Sequence, residues 1–258
     1  MARTARTKSV SGMYHIMVRG LNKQDIFLDV GDRMRYLDTL LQVKVKSGCQ
    51  VHAYCLMSNH VHLLLEEGAD VGVGEVMQQM GSSYALWFNH KYERLGYLFH
   101  DRFRSEPIET TDSVLAVMRY IHQNPVKAGM VAGCEGYVWS SYLAYATGKE
   151  HQTGLTDTRK ALELCGGMEQ FIASHHQLCE DVFSDAEYRT RATPRQMAAA
   201  AKRILKDRAL GTVKDMVPSE RNAVLRELKA IPGATCSQVA YLVGVSKKVV
   251  ERAVRGAD

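Results

Sequence analysis

The chain has 258 residues, of which 46% are hydrophobic and 24% charged, with a formal net charge of +5. That balance is ordinary for a globular protein large enough to bury a substantial core, and it excludes a disordered or low-complexity chain. No run approaches the roughly 18 consecutive apolar residues of a membrane helix, and the basic start MARTARTKSVSG is followed by no apolar signal segment.

The six cysteines include no CxxC pair, so they read as reduced thiols of a cytoplasmic, nucleoid-associated protein, not as a disulfide framework or a zinc ribbon. Charge is unevenly placed. Residues 185–258 carry fifteen Lys and Arg against eight Asp and Glu, and a short basic arm (residues 1–11) holds Arg3, Arg6 and Lys8. Basic segments without an amphipathic aromatic stripe point to nucleic acid and away from membrane.

In chain order, YHIMV (14–18) reads as a strand. DVGDRMRYLDTLLQVKVKSG (29–48) has apolar residues at helical spacing and a glycine stop. CQVHAYCLM (49–57) and HVHLLLE (60–66), joined by Ser58-Asn59, read as a hairpin. A helix is expected over 71–96, with Gly81 a weak spot, then two short strands within 98–109. A third helix is expected over 111–125, capped by Asp112 and ended by Pro125. Residues 150–184 look irregular, and from about 187 onward the signals are helical. The fold class is therefore α+β, an antiparallel sheet with helices packed on it, followed by an all-α C-terminal region.

The chemistry starts at MSNHVHLLL (57–65). In a strand, residues two apart share a face, so His60 and His62 stand on one side while Val61, Leu63 and Leu65 anchor the other. Two imidazoles on one strand face can converge on one ion. On its own, an HxH pair fits partly buried, hydrogen-bonded histidines as well as it fits metal ligands.

MSNHVHLLL resembles the HUH motif (His, hydrophobic, His) of the single-tyrosine, IS200-like transposases, especially the REP-associated tyrosine transposases. GMYHIMVRGLNKQDIF (12–27) looks like that family's first strand and loop, and LFHDRFRS (98–105) like the strand before its catalytic helix. RYIHQNPVKAGMV (119–131) is similar to its tyrosine helix, and YVWSSYLAYATG (137–148) to the segment that follows. The resemblance spans 12–148 and implies an HUH/ferredoxin-like domain over those residues, with 149–186 as a linker region.

It also implies the site. Tyr120 would be the nucleophile. A divalent metal ion, Mg²⁺ or Mn²⁺, would be held by His60, His62 and the polar residue one turn after the tyrosine, Asn124. His122 and Gln123 are alternative third ligands, although they leave the Tyr120 face. The implied activity is cleavage and rejoining of single-stranded DNA at hairpin (REP-like) elements through a 5′-phosphotyrosine. No ATP is needed, in keeping with a sequence that has no Walker P-loop. Arg19, Arg102 and Arg104 are candidate phosphate contacts, with Phe103 available to stack on a base. His100-Asp101 stands where the family has Gln-Gly. The alternatives are a catalytically inactive DNA-binding regulator of the same fold and a hydrolase whose nucleophile is water. The protein would act as a monomer or a homodimer.

The C-terminal part (187–258) has its own pattern. PSERNAVLRELKAI (218–231), capped by Ser219, SQVAYLV (237–243), a turn at Gly244-Val245-Ser246, and KKVVERAVR (247–255) have the spacing of a helix-turn-helix. Lys247, Lys248 and Arg252 would face outward and could meet duplex DNA.

Overall fold

The computed structural model describes residues 7–177, 194–205, 210–231 and 234–255. It divides into two compact units, Met1–Phe183 and Ser184–Asp258.

The first unit is built on four antiparallel strands, β1 (Met13–Arg19), β2 (Gln50–Leu56), β3 (His60–Glu66) and β4 (Arg104–Pro107), in the spatial order β2-β3-β1-β4. The period of two sorts their side chains onto two faces. Tyr14, Ile16, Val18, Val51, Tyr54, Leu56, Val61, Leu63 and Leu65 point to one face, where α1 (Val30–Ser47) and α2 (Val73–Lys91) close the main core. Met13, Ala53, Cys55 and Leu64 point to the other, under α3 (Thr111–Lys127).

α1 begins with a capping box between Asp29 and Asp32 and ends at Gly48, whose φ of 69° is the left-handed conformation that a residue with a Cβ adopts at a cost. α2 runs unbroken through Gly81 and stops at Lys91, short of the expected residue 96. Of the two strands expected within 98–109, one forms. Phe99 makes only an isolated bridge to Gly20.

α3 corrects the sequence reading twice. Its cap is Thr110, whose hydroxyl accepts the Ser113 amide, in place of Asp112. Pro125 does not end it. Proline removes only the N–H that would reach the Ile121 carbonyl, and the turn continues because Ala128 bonds to the Asn124 carbonyl (2.9 Å); past the helix end, Met130 closes it by bonding to the Pro125 carbonyl (2.9 Å).

Of the residues expected to be irregular or a linker, those up to 177 are ordered into this unit, and 178–186 lie outside the described residues. After α4 (Tyr142–Thr147), α5 (Thr158–Cys165) and α6 (Met168–His175) bury Ala161 and Phe171 against α3 and α4. The edge of β2 is covered by residues 139–157: Leu56 bonds to the Trp139 carbonyl (2.9 Å), Ser141 to that of Tyr54 (3.0 Å) and Asp157 to that of Val51 (2.8 Å). Pairing the edge this way leaves β2 no open row of amides for another chain.

The second unit is helical: α7 (Pro194–Leu205), a 3₁₀ turn (Leu210–Asp215), α8 (Pro218–Ala230), α9 (Cys236–Val243) and α10 (Lys247–Arg255) around Leu225, Leu228, Val239, Val243 and Val250. Val217, not Ser219, is the N-cap residue of α8, and Pro218 occupies the first helical position, where its missing N–H costs nothing. Thr235 and Gln238 form a capping box on α9, and Gly244 closes it at φ 72°. Among the described residues no helix is long and apolar enough to cross a membrane.

Candidate functional site

On the α3 face of the sheet the strand register lines up chemistry that the chain order scatters. His60 pairs with Arg19, His62 with Met17, and Met17 in turn with Arg104, while His15 pairs with Leu64 on one side and Glu106 on the other. Directly opposed residues of antiparallel strands point to the same face. His60, His62, His15, Arg19, Arg104 and Glu106 therefore share one surface.

α3 lays Tyr120 onto that surface. The phenol ring stands edge-on to His62, with centroids 5.9 Å apart at 88°, and edge-on to His15 at 5.9 Å and 76°. The His60 and His62 rings lie 4.9 Å apart at 86°. Tyr120 and His62 are buried, and His60 is half-buried.

The two motif histidines are held neutral. Burial, helped by the positive charge of Arg19, pushes His60 down to about 4. Burial, then the neighbouring His60, His15 and Arg19, holds His62 well below the usual imidazole range. A neutral imidazole is the form that ligates a metal.

His60 is also fixed in one tautomer. Its Nδ1 lies 2.6 Å from the Asn59 amide oxygen, which can only accept, so Nδ1 carries the proton and Nε2 keeps its lone pair. The Asn59 amide is itself oriented, because its nitrogen donates to the Lys23 carbonyl at 3.1 Å. The loop after β1 is shaped around this turn. Gly20 donates to the Asn59 carbonyl (2.9 Å), and Ile26 and Phe27 donate to that of Ser58 (2.9 and 3.2 Å). A Cβ on Gly20 would sit 2.2 Å from the Gln24 carbonyl oxygen, so the close approach requires glycine.

Asn124 lies one turn beyond Tyr120, and its amide nitrogen donates to the Tyr120 carbonyl at 3.0 Å. The other two candidate ligands face elsewhere: His122 bonds to His175 (2.9 Å) and Ser141 (2.7 Å), and Gln123 donates to the carbonyls of His175 and Gln177. Among the described residues no group of three or more His, Cys, Asp or Glu side chains could hold a metal ion. The neutral His60 and His62 imidazoles are nitrogen donors of the kind a divalent cation accepts.

Of the predicted DNA contacts, Arg19 and Arg104 lie on this face, whereas Arg102 precedes β4 and is exposed, so the two arginines do not share a strand. Lys247, Lys248 and Arg252 are exposed on α10 of the second unit, Lys247 paired with Glu251 at 3.2 Å. Sequence reasoning missed Asn59, His15, Glu106 and Lys127, whose ammonium lies 4.7 Å from the centre of the Tyr120 ring. The alternation of YHIMVR could have placed His15 on the Arg19 face, but its neighbours depend on a register that no local pattern encodes.

Residues 8–124 match the family model described as "Transposase IS200 like". Over this segment the chain is similar to the IS200-like transposases. Among solved structures, a REP-associated tyrosine transposase bound to a REP hairpin is 20% identical, covering 55% of this chain and 82% of its own, with a TM-score of 0.47. A candidate transposase from Deinococcus radiodurans R1 is 16% identical, covering 47% of this chain and 97% of its own, with a TM-score of 0.33. A search of curated proteins finds no match.

Proposed function

We propose that this protein is a transposase that cleaves and rejoins single-stranded DNA at hairpin, REP-like elements, with Tyr120 as nucleophile and a 5′-phosphotyrosine as intermediate. The observation that carries this reading is the Tyr120 ring set edge-on to His62, beside the paired histidines. The preference for hairpins rests on the likeness of RYIHQNPVKAGMV and the motifs around it to the REP-associated group.

A phenol with an ordinary pKa near 10 is a weak nucleophile. Alignment with the scissile phosphate and neutralisation of charge make it useful. Tyr120 Oη forms a bond to phosphorus, the P–O3′ bond breaks with its electron pair on the 3′-oxygen, and the phenol proton ends, in net terms, on the released 3′-hydroxyl. A hydroxyl attacking the phosphotyrosine reverses the exchange and rejoins strands. His60 Nε2, His62 Nε2 and Asn124 Oδ1 would hold Mg²⁺ or Mn²⁺, which when bound supplies charge neutralisation at a phosphate oxygen and at the departing 3′-oxygen. The Lys127 ammonium beside the ring favours negative charge on the phenol as it attacks. Arg19, Arg104 and the exposed Arg102 contact backbone phosphates, and the pair α9–α10 acts as a helix-turn-helix that places Lys247, Lys248 and Arg252 on duplex DNA.

The test is incubation with single-stranded hairpin DNA followed by a denaturing gel. A covalent protein–DNA adduct that disappears in Tyr120→Phe supports the proposal. Cleavage that survives the substitution points to water as nucleophile, and binding without cleavage to a DNA-binding regulator.

A further inference from the structure

We propose that His15 is a positioning residue for the metal, acting through His62 in a relay Glu106–His15–His62. The inference rests on the metal reading above and adds two residues that the HUH motif does not contain.

His15 is buried on β1, diagonal to His62 across the β1–β3 pair. Its Nε2 lies 3.2 Å from His62 Nδ1, and the two rings stack at 5.4 Å and 19°. On its far side, Nδ1 lies 3.9 Å from the Glu106 carboxylate, in register on β4. A neutral imidazole has one N–H and one lone pair, so between His15 and His62 one nitrogen donates and the other accepts. The carboxylate, 3.9 Å away and so acting through its charge and not through a direct hydrogen bond, biases the choice. Its negative charge favours the proton on His15 Nδ1, which turns a lone pair at Nε2 toward His62. His62 must then carry its proton on Nδ1, and Nε2 keeps the lone pair that a cation needs. The opposite tautomer would put a proton on His62 Nε2 and remove it as a ligand.

The same outcome is reached independently at His60, where the Asn59 oxygen holds the proton on Nδ1. Both histidines of the motif are thus set to present Nε2 by an acceptor at Nδ1, one an amide and the other an imidazole backed by a carboxylate. Outer partners of this kind fix the orientation and tautomer of ligating histidines.

The test uses the full chain with ¹⁵N-labelled histidine. Without metal, long-range ¹H–¹⁵N spectra should show His62 protonated at Nδ1, and His15→Phe should turn that signal into a mixture of tautomers. In Mn²⁺ titrations followed by electron paramagnetic resonance, His15→Phe should weaken binding by about 10- to 100-fold, whereas His15→Gln, whose amide oxygen can accept from His62 Nδ1, should stay within about threefold of the parent. His60→Ala should abolish binding. A proton on His62 Nε2 in the parent protein, or unchanged Mn²⁺ affinity in His15→Phe, overturns the relay. Equal losses in His15→Gln, His15→Phe and His60→Ala would make His15 a ligand and also overturn it. If the parent binds no Mn²⁺, the metal reading fails while the His62 tautomer still decides the relay. If His15→Phe does not fold by circular dichroism, the parent tautomer and His15→Gln decide it.

Discussion

The phenol of Tyr120 meets the imidazole of His62 edge to face, 5.9 Å between ring centres, although one residue sits on a helix and the other on the strand beneath it. The contact depends on α3 lying flat on the sheet. A second histidine network holds it there: His175 Nδ1 donates to the Phe171 carbonyl (2.8 Å), so His175 Nε2 accepts from His122 Nδ1 (2.9 Å), and His122 Nε2 accepts from Ser141 Oγ (2.7 Å). Ser141 in turn accepts the Tyr54 amide of β2 at 2.9 Å. Two residues past Tyr120, α3 is tied to α6 and to the sheet.

That network gives stability a predictable dependence on pH. Burial, with some repulsion from His175, holds His122 well below the usual imidazole range, and burial lowers His175 to about 4. In the unfolded chain both titrate near 6.5. Below that value the unfolded state binds protons that the folded state does not, so stability falls as pH drops from about 6.5 toward 4, by up to about 1.4 kcal/mol per pH unit for each histidine. Urea unfolding between pH 7.5 and 5 measures this. His175→Gln, which keeps an acceptor for His122, should make the slope shallower by about one histidine's share. An unchanged slope would contradict the assignment.

Asn59 should matter to the metal without touching it. Asn59→Ala removes the acceptor that fixes His60 Nδ1 and is expected to weaken Mn²⁺ binding by about tenfold, read by calorimetry, with little change in secondary structure. Parent-like affinity would show that the tautomer of His60 is set some other way.

Gly20→Ala should be costly for a different reason. The added methyl meets a backbone carbonyl at 2.2 Å, and the loop that holds Ser58 and Asn59 must shift to admit it. A loss of about 1–3 kcal/mol in urea titration is expected, as for other overpacked sites. A neutral effect would mean that the loop yields freely.

On α10, Lys248 and Arg252 stand one turn apart and exposed, while Lys247 shares its charge with Glu251. Replacing both Lys248 and Arg252 with Ala should lower the salt dependence of duplex binding by about 2 in the slope of log K against log[salt]. An unchanged slope would remove α10 from the DNA interface.

The sequence made the faces of the sheet legible and left the partners across them hidden. The alternation of His60-Val61-His62-Leu63 let His60 and His62 be set on one face and Val61, Leu63 and Leu65 on the other, as the structure shows. His15 was readable as a strand residue, yet its place beside His62 follows from the β1–β3 register, which is fixed by tertiary packing. Pro125 misled because its local cost is outweighed by the burial of Val117, Met118 and Ile121 along the same helix. α5 and α6 escaped notice because each is only eight residues long and is held by Phe171 and Ala161 in the core, not by any strong periodic signal.

The central claim is that Tyr120 forms the covalent bond to DNA. The most direct measurement is intact-protein mass spectrometry after incubation with a short hairpin-bearing single strand and Mn²⁺, with peptide mapping of the adduct. The account predicts one nucleotide-bearing fragment attached at Tyr120, absent from Tyr120→Phe and from His60→Ala. Attachment at any other tyrosine, or an undiminished adduct in Tyr120→Phe, would contradict it.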